Sequence, residues 1–177
     1  MKRVCIFCGA RTGRMAFSDA AAQLAIELAK RGIGIVTGGG HVGLMGVVAD
    51  AALAAGGTVT GVIPQSLADR EVAHLGLTEL HVVATMHERK ALMADLSDAF
   101  IALPGGYGTL DEFCEIVTWA QLGIHAKPIG LLNVDGYYDE LIALIDKAVR
   151  EAFIPPENRA LVRDASSIDE LLRSLGC

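Results

Sequence analysis

The sequence lacks the features that would place the chain in a membrane or send it across one. No stretch reaches about 18 uninterrupted apolar residues, the length that suggests a membrane-spanning helix. Lys2 and Arg3 precede a short apolar run, but Arg11 and Arg14 interrupt that run too early for a signal peptide. We therefore expect a cytoplasmic protein with no membrane partner.

Clustered metal ligands are missing as well. Cys5 and Cys8 spell C-x-x-C, but they fall on a predicted strand, where residues three apart point to opposite faces. No second C-x-x-C and no paired histidines accompany them, so a structural zinc site is not indicated. We expect free thiols, no metal and no cofactor.

Positive charge is in short supply. Lys and Arg number 15 against 21 Asp and Glu, which gives a formal net charge of −6. Proteins that bind nucleic acid are more often basic, because the neutralisation of phosphates dominates their affinity. We expect no nucleic-acid partner, although a local cluster can still bind a small anion.

Apolar residues, by contrast, are abundant and regularly arranged. They make up 52% of the chain, which argues against disorder except at the ends. Predicted strands alternate with predicted helices: strands at residues 4–7, 34–37, 58–63, 80–84, 99–103, 128–132 and around Leu161, helices at 17–31, 43–55, 86–96, 109–122, 137–151 and 168–175. This pattern predicts a single-domain α/β protein, residues 1–177, with a Rossmann-like doubly wound parallel sheet and helices on both faces. Ligands of such sheets bind beyond the carboxyl ends of the strands.

Two glycine-rich turns follow the first two strands. The first, residues 8–13, contains Arg11, which either meets an anion or is simply solvated. The second contains Gly38-x-Gly40-x-x-Gly43, a formal match to the dinucleotide fingerprint. That fingerprint normally follows the first strand and needs a carboxylate about 20 residues later, whereas residues 59–64 contain none. We therefore reject a dinucleotide and keep a helix N-terminus that favours an anion.

The third turn, residues 104–112, reads P-G-G-Y-G-T-L-D-E and opens a helix. Its glycines expose backbone N–H groups, the Thr109 hydroxyl can join them, and Glu112 follows beside this phosphate loop. A second interpretation stays open, because Thr-x-x-Glu at a helix start is also a capping box. Upstream, Arg89 and Lys90 stand at a helix N-terminal turn, where the helix dipole disfavours positive charge, so they are either functional or merely exposed.

The pair formed by M-H-E-R-K at residues 86–90 and P-G-G-x-G-T-x-x-E at 104–112 resembles the LOG family, the cytokinin riboside 5′-monophosphate phosphoribohydrolases. The resemblance covers nearly the whole chain, including residues 38–46 and 118–125. It implies a Rossmann-like homodimer that hydrolyses the N-glycosidic bond of AMP-like nucleotides carrying an N6 side chain. Arg89 and Glu112 match the family's catalytic pair. One departure is visible, since Ala10-Arg11 stand where members usually have Ser-Ser.

The resemblance also implies a set of substrate contacts. Gly106, Gly108 and Thr109 match the phosphate loop, and Glu71 matches an acidic position in a long loop. The expected substrate-binding residues are Gly9, Gly39, Gly40, Glu71, Met86, Lys90, Gly105, Gly106, Tyr107, Gly108, Thr109, Leu110, Asp111 and Thr118.

The chemistry of glycosidic cleavage suits these residue types. The bond breaks through an oxocarbenium-like transition state, which a carboxylate such as Glu112 can stabilise while it deprotonates water. Arg89 can position the substrate and help the departing base carry negative charge. One other class stays open, a non-catalytic nucleotide or molybdenum-cofactor carrier. A lysine decarboxylase is not supported, because Lys90 is the only lysine in a site-like context and no second domain is expected to cover a pyridoxal phosphate.

The helix after the third turn predicts the homodimer independently. Its apolar face, with Phe113, Trp119 and Leu122, is too wide for a single sheet contact. Thr118 lies six residues after Glu112, a rotation of about 240°, so the two side chains face apart. Both can reach a site only if one of them comes from a neighbouring subunit.

Overall fold

Seven parallel strands form one sheet in the computed structural model, which describes residues 1–68 and 73–177. The strands are β1 Arg3–Phe7, β2 Gly34–Thr37, β3 Val59–Pro64, β4 Glu79–Val83, β5 Ala99–Ala102, β6 Ile129–Leu132 and β7 Val162–Ala165. Their order across the sheet is β4-β3-β2-β1-β5-β6-β7, and every neighbouring pair is parallel. The predicted parallel α/β sheet is therefore confirmed.

Helices cover both faces of this sheet. They are α1 Met15–Lys30, α2 Gly43–Ala54, α3 Gln65–Ala68, α4 Met86–Asp95, α5 Tyr107–Gln121, α6 Asp139–Arg150, α7 Pro156–Arg159 and α8 Ile168–Leu175. Residues of α1, α2 and α8, such as Leu24 and Leu171, form the core on one face. Residues of α4 and α5, such as Met93 and Phe113, form the core on the other. Because both faces are covered, the strands are apolar on both sides.

The C-x-x-C pair divides between these two cores, as predicted. Cys5 is buried in the core under α4 and α5, and Cys8 in the core under α1 and α2. Both thiols are free. The pair therefore contributes to packing on opposite faces of the sheet.

The order in which successive strands are added to the sheet reverses at its centre, next to β1. From β1 the strands proceed outward to β4, and the chain then returns to place β5 on the other side of β1. The loops after β1 and β5 consequently lead to opposite sides of the sheet and leave a crevice between them, where doubly wound sheets bind ligands. The first and third glycine-rich turns are these two loops.

Three helices begin two residues away from their predicted starts. Helix α1 begins at Met15 rather than at Phe17. Helix α5 begins at Tyr107, two residues before Thr109. Helix α6 begins only at Asp139, because Val134–Gly136 forms a 3₁₀ turn in which Asp135 has a left-handed φ of 50°. Within residues 1–68 and 73–177, no helix combines the length and apolar character needed to cross a membrane.

Candidate active site

A cavity of about 510 Å³ opens at the carboxyl ends of β1 and β5. Its wall comes from residues 8–13 after β1, residues 104–109 after β5, and the start of α2. Arg89, Glu112 and Tyr137 complete the wall together with Phe17 and Leu67. The cavity therefore occupies the crevice between β1 and β5, where the strand order reverses.

The loops around the cavity are fixed by backbone hydrogen bonds. The Gly9 N–H donates to Pro104 O at 3.1 Å, and the Leu44 N–H donates to Gly9 O at 2.9 Å. Gly43 has a φ of +61°, and a Cβ atom there would overlap the backbone of Ala10. Close packing against Ala10 therefore explains why residue 43 is a glycine. The hydrogen bond to Gly9 O uses the Leu44 N–H group, which belongs to the α2 N-terminus that the sequence suggested as an anion site.

The N-terminus of α5 is the better anion site. Its N-cap is Gly106, which has no side chain to cap the helix, and the first helical hydrogen bond runs from Leu110 N to Gly106 O at 3.1 Å. The N–H groups of residues 107–109 precede that bond and belong to the cavity wall. Backbone N–H groups and the helix dipole together favour an anion at this position.

The capping interpretation of Thr109 and Glu112 is wrong. Because α5 begins at Tyr107, Thr109 is already a buried residue of the first turn and Glu112 lies in the second. A threonine cap occurs instead at the start of α4, where the Glu88 N–H donates to Thr85 Oγ1 at 3.1 Å. The Glu88 carboxylate in turn accepts from the Ala84 N–H at 3.0 Å. Glu112 is therefore not held as a helix cap.

Arg89 points into the protein rather than into solvent. Only 8% of the residue is exposed. Its Nε donates to Val62 O at 3.2 Å and its Nη2 donates to Gly38 O at 3.1 Å, while Nη1 lies 3.8 Å from Met86 Sδ. The interpretation of Arg89 as a plain solvated side chain is thus wrong. The backbone carbonyls thus hold the guanidinium in the cavity wall.

Glu112 is half-buried in the same wall, and its surroundings change its acidity. Mainly because of burial, the pKa of Glu112 rises to about 7. The positive charge of Arg89 lowers this pKa, and the negative charge of Asp111 raises it. A carboxyl group with a pKa near neutrality is suited to exchange protons at physiological pH. The cavity wall therefore holds both a guanidinium and a carboxyl group of perturbed acidity, a combination that is typical of functional sites.

Lys90 has a different environment from its neighbour Arg89. Its Nζ lies 3.2 Å from Asp111 Oδ2 and 3.0 Å from Glu115 Oε2, and it is not part of the cavity wall. Desolvation acts to lower the pKa of Lys90, but hydrogen bonds to Glu115 and Asp111 outweigh it and raise the pKa above its ordinary value. A charged, doubly paired ammonium is poorly suited to form a Schiff base.

Comparison with known proteins adds the family. A family model described as "Possible lysine decarboxylase" matches residues 45–175. A cytokinin riboside 5′-monophosphate phosphoribohydrolase of Arabidopsis thaliana is 53% identical over 98% of this chain and 82% of its own length. One of Oryza sativa subsp. japonica is also 53% identical, over 98% of this chain and 72% of its own. The chain belongs to the LOG family.

Solved structures of molybdenum cofactor proteins share the fold of this chain. A molybdenum cofactor binding protein of the phototrophic bacterium Rippkaea orientalis superposes with a TM-score of 0.76, covers 99% of this chain and 98% of its own, and is 24% identical. A Moco carrier protein of Chlamydomonas reinhardtii gives a TM-score of 0.74 with 19% identity, over 99% and 95% of the two chains. At this identity the likeness shows a shared fold alone.

The cavity brings together only part of the residue set that the LOG resemblance implied. The residues in its wall are Gly9, Arg89, Gly105, Gly106, Tyr107, Gly108, Thr109 and Glu112. The predicted contacts that lie outside the wall are Gly39, Gly40, Met86, Lys90, Leu110, Asp111 and Thr118. Glu71 falls outside the described residues. The binding roles of all these side chains stay predictions.

Three of the contacts outside the wall have identifiable structural roles. Gly39 has a φ of +77° and accepts a hydrogen bond from the His74 N–H at 3.0 Å, while Gly40 forms a bridge with Ala73. Both glycines thus attach the segment after residue 72 to the end of β2. Thr118 is exposed, and its hydroxyl donates to Cys114 O at 2.7 Å, on a side of α5 away from the cavity.

Sequence reasoning missed the aromatic side of the LOG cavity. Phe17 and Tyr137 both line it and meet edge to face, with ring centroids 5.5 Å apart. The Tyr137 hydroxyl donates to Gly105 O at 2.6 Å, so it also supports the loop after β5. Tyr137 follows β6, an interior strand of the sheet. Its position beyond the carboxyl end of that strand would have identified it as a candidate for the ligand site.

Proposed function

We propose that this protein hydrolyses the N-glycosidic bond of N6-substituted adenosine 5′-monophosphates and releases the free base and ribose 5-phosphate. The curated LOG relatives are named for this activity. The observation that carries the proposal is the presence, in one cavity wall, of the buried Arg89 and of Glu112, a carboxyl group whose pKa is about 7.

The phosphate group of the substrate has a suitable partner at the start of α5. The N–H groups of residues 107–109 lie there beside Gly106 and Gly108, where a Cβ would meet open space, so no side chain obstructs an anion. Arg11 lies in the same wall and is exposed. It supplies a cation where LOG members usually have a serine. Binding energy from this remote group orients the ribose for reaction.

The reaction itself requires a base, a cation stabiliser and a leaving-group partner. Water attacks C1′ of the ribose as the bond from C1′ to the base nitrogen breaks, and both bond electrons leave with the base. The Glu112 carboxylate stabilises the developing oxocarbenium charge and accepts a proton from water, which the departing base takes up in turn. Arg89 donates to the base or its ribose and stabilises the negative charge that the base acquires.

The apolar part of the cavity lining suits a purine with an apolar substituent. Leu44, Met45 and Leu67 form it together with the rings of Phe17 and Tyr137. Apolar side chains with few polar groups are typical of small-molecule sites, where burial of the ligand surface provides much of the affinity. An N6-prenyl group would extend this apolar contact relative to AMP.

The homodimer belongs to the same proposal. Leu122 and Ile124, at the end of α5, are 66% and 64% exposed, so the wide apolar face predicted for this helix is left partly uncovered. Thr118 shares this exposed end of the helix. In a homodimer built on this face, the exposed leucine and isoleucine would be covered and Thr118 would approach the site of the partner subunit.

A turnover assay separates the enzyme from a carrier. Purified protein is incubated with a hundredfold excess of N6-isopentenyladenosine monophosphate, and free base is quantified by chromatography over time. The proposal predicts many base molecules released per protein chain. A carrier, such as the molybdenum cofactor carrier proteins that share this fold, would instead bind one nucleotide per site and leave it intact, which would refute the proposal.

A further inference from the structure

The Arg89 guanidinium is held by the backbone of two neighbouring strands. Its Nε contacts Val62 O within β3, and its Nη2 contacts Gly38 O, one residue beyond β2. Both carbonyls lie near the carboxyl ends of their strands, at the edge of the sheet where the cavity opens. The direction of the guanidinium is therefore set by the sheet, which is a rigid support for a reacting group.

Gly38 makes this arrangement sterically feasible. A Cβ atom at residue 38 would overlap Nη2 of Arg89, and it would lie 2.9 Å from Cζ of the same guanidinium and 3.3 Å from Met45 Sδ. The backbone at Gly38 has no positive φ that would itself favour glycine. The guanidinium, rather than the local backbone conformation, is thus what requires the missing side chain.

We propose that Gly38 is a positioning residue, whose lack of a side chain lets the Arg89 guanidinium seat against the ends of β2 and β3 and fixes its place in the cavity. The inference rests on the proposed function for its kinetic consequences. Its geometric part, a steric coupling between residue 38 and Arg89, can be measured without any substrate.

A methyl group at residue 38 would displace the guanidinium rather than the sheet. The overlapping atoms belong to the far end of a flexible side chain, whereas Gly38 is a buried backbone position directly after β2. The protein should fold, with the Arg89 guanidinium displaced from its place against the two carbonyls. A misplacement of about 1 Å at a reacting group costs about 10²-fold in rate. Since Arg89 lowers the pKa of Glu112, displacement of the guanidinium should shift that pKa.

Four proteins test the proposal: the wild type, Gly38→Ala, Arg89→Ala and the double variant. Gly38→Ala should lower kcat at least tenfold with a smaller change in KM, and should shift the acidic limb of the pH–rate profile. In the Arg89→Ala background the same substitution should change kcat less than about twofold. Gly38→Ala should likewise lower the melting temperature less in the Arg89→Ala background than in the wild type, because removing the Arg89 side chain also removes the overlap.

Gly130→Ala is the matched control. Gly130 is a buried glycine in β6, and a Cβ there would lie 2.8 Å from Leu171 Cδ1, again the end of a flexible side chain, but one far from the cavity. It should lower the melting temperature and leave the pH–rate profile in place. A shift of the profile in Gly130→Ala as large as in Gly38→Ala would show a general effect of strand packing and overturn the proposal.

The thermal cycle keeps this inference separate from the proposed function. If the wild type releases no base but Gly38→Ala is destabilising only when Arg89 is present, the positioning role stands and the reaction fails. Equal losses of melting temperature in both backgrounds, or normal kinetics in Gly38→Ala, would overturn the positioning role. Should Gly38→Ala fail to fold, a folded double variant supports the steric coupling, and an unfolded one contradicts it.

Discussion

Replacing Glu112 with glutamine should make the protein more stable and almost inactive. Folding places this carboxyl group in surroundings that raise its pKa from 4.5 to about 7. A raised pKa means that the folded state binds the proton more tightly than the unfolded chain does. The contribution of Glu112 to stability is therefore complete below about pH 4.5 and is lost as the pH rises through 7.

The magnitude follows from the distance between the two pKa values. The interval from 4.5 to about 7 corresponds to about 3 kcal/mol of folding free energy, at 1.36 kcal/mol for each pKa unit. Glutamine carries no charge at any pH, so Glu112→Gln avoids this loss. Above pH 7 the variant should melt higher than the wild type, by about 2–4 °C for each kcal/mol retained, and the difference should shrink towards pH 4.5.

Activity should move in the opposite direction. Glutamine cannot stabilise a developing cation as a carboxylate does or take a proton from water, so kcat should fall by about 10²-fold or more. Calorimetry at pH 5 and pH 8, together with base release from AMP, measures both effects on one preparation. A near-normal kcat in Glu112→Gln would refute the catalytic role, and a melting difference independent of pH would refute the perturbed acidity.

Three further predictions concern the same cavity. In the wild type, kcat/KM should rise with pH through about 7, because the carboxylate form of Glu112 is the active one; a profile that falls through this range would contradict that role. Arg11→Ala should raise KM for AMP at least tenfold and leave kcat nearly unchanged. The control is Arg14→Ala, which should raise KM much less, because the Arg14 guanidinium already pairs with Asp135 at 3.3 Å. Equal effects of the two substitutions would contradict the phosphate role of Arg11. Activity should persist in EDTA, and a loss that a divalent ion restores would show a metal requirement.

The proposed homodimer is tested by light scattering at micromolar concentration. A dimeric mass is expected for the wild type, and Leu122→Asp should shift it towards the monomer, because the substitution places a charge on the exposed end of α5. A monomeric mass for the wild type would contradict the proposal.

The fold could be predicted from the sequence because the alternation of strands and helices is regular. The apolar runs at residues 34–37 and 99–103 are ended by Gly38 and Pro104, and each became a strand beside β1 within one residue of its predicted ends. The start of α5 was less predictable. The glycine at residue 106 allowed the helix to begin before Thr109, so the threonine served inside the helix rather than as its cap.

The site was only partly predictable, because its decisive features depend on distant contacts. Sequence reasoning could identify Arg89 and Glu112 as candidates, but not the carbonyls of Val62 and Gly38 that hold the guanidinium. Arg89 and Lys90 are adjacent, yet about 100° of helical rotation separates them, so one enters the cavity and the other pairs with α5. The acidity of Glu112 likewise arises from burial that no local pattern reveals.

The most direct test of the central claim is to identify both products formed from N6-isopentenyladenosine monophosphate. Wild-type protein is incubated with the nucleotide, and base, nucleoside, ribose 5-phosphate and inorganic phosphate are quantified in the same sample by chromatography and mass spectrometry. Hydrolysis at C1′ predicts free base and ribose 5-phosphate in equal amounts. Release of nucleoside with inorganic phosphate would show cleavage of the phosphate ester and contradict the glycosidic mechanism.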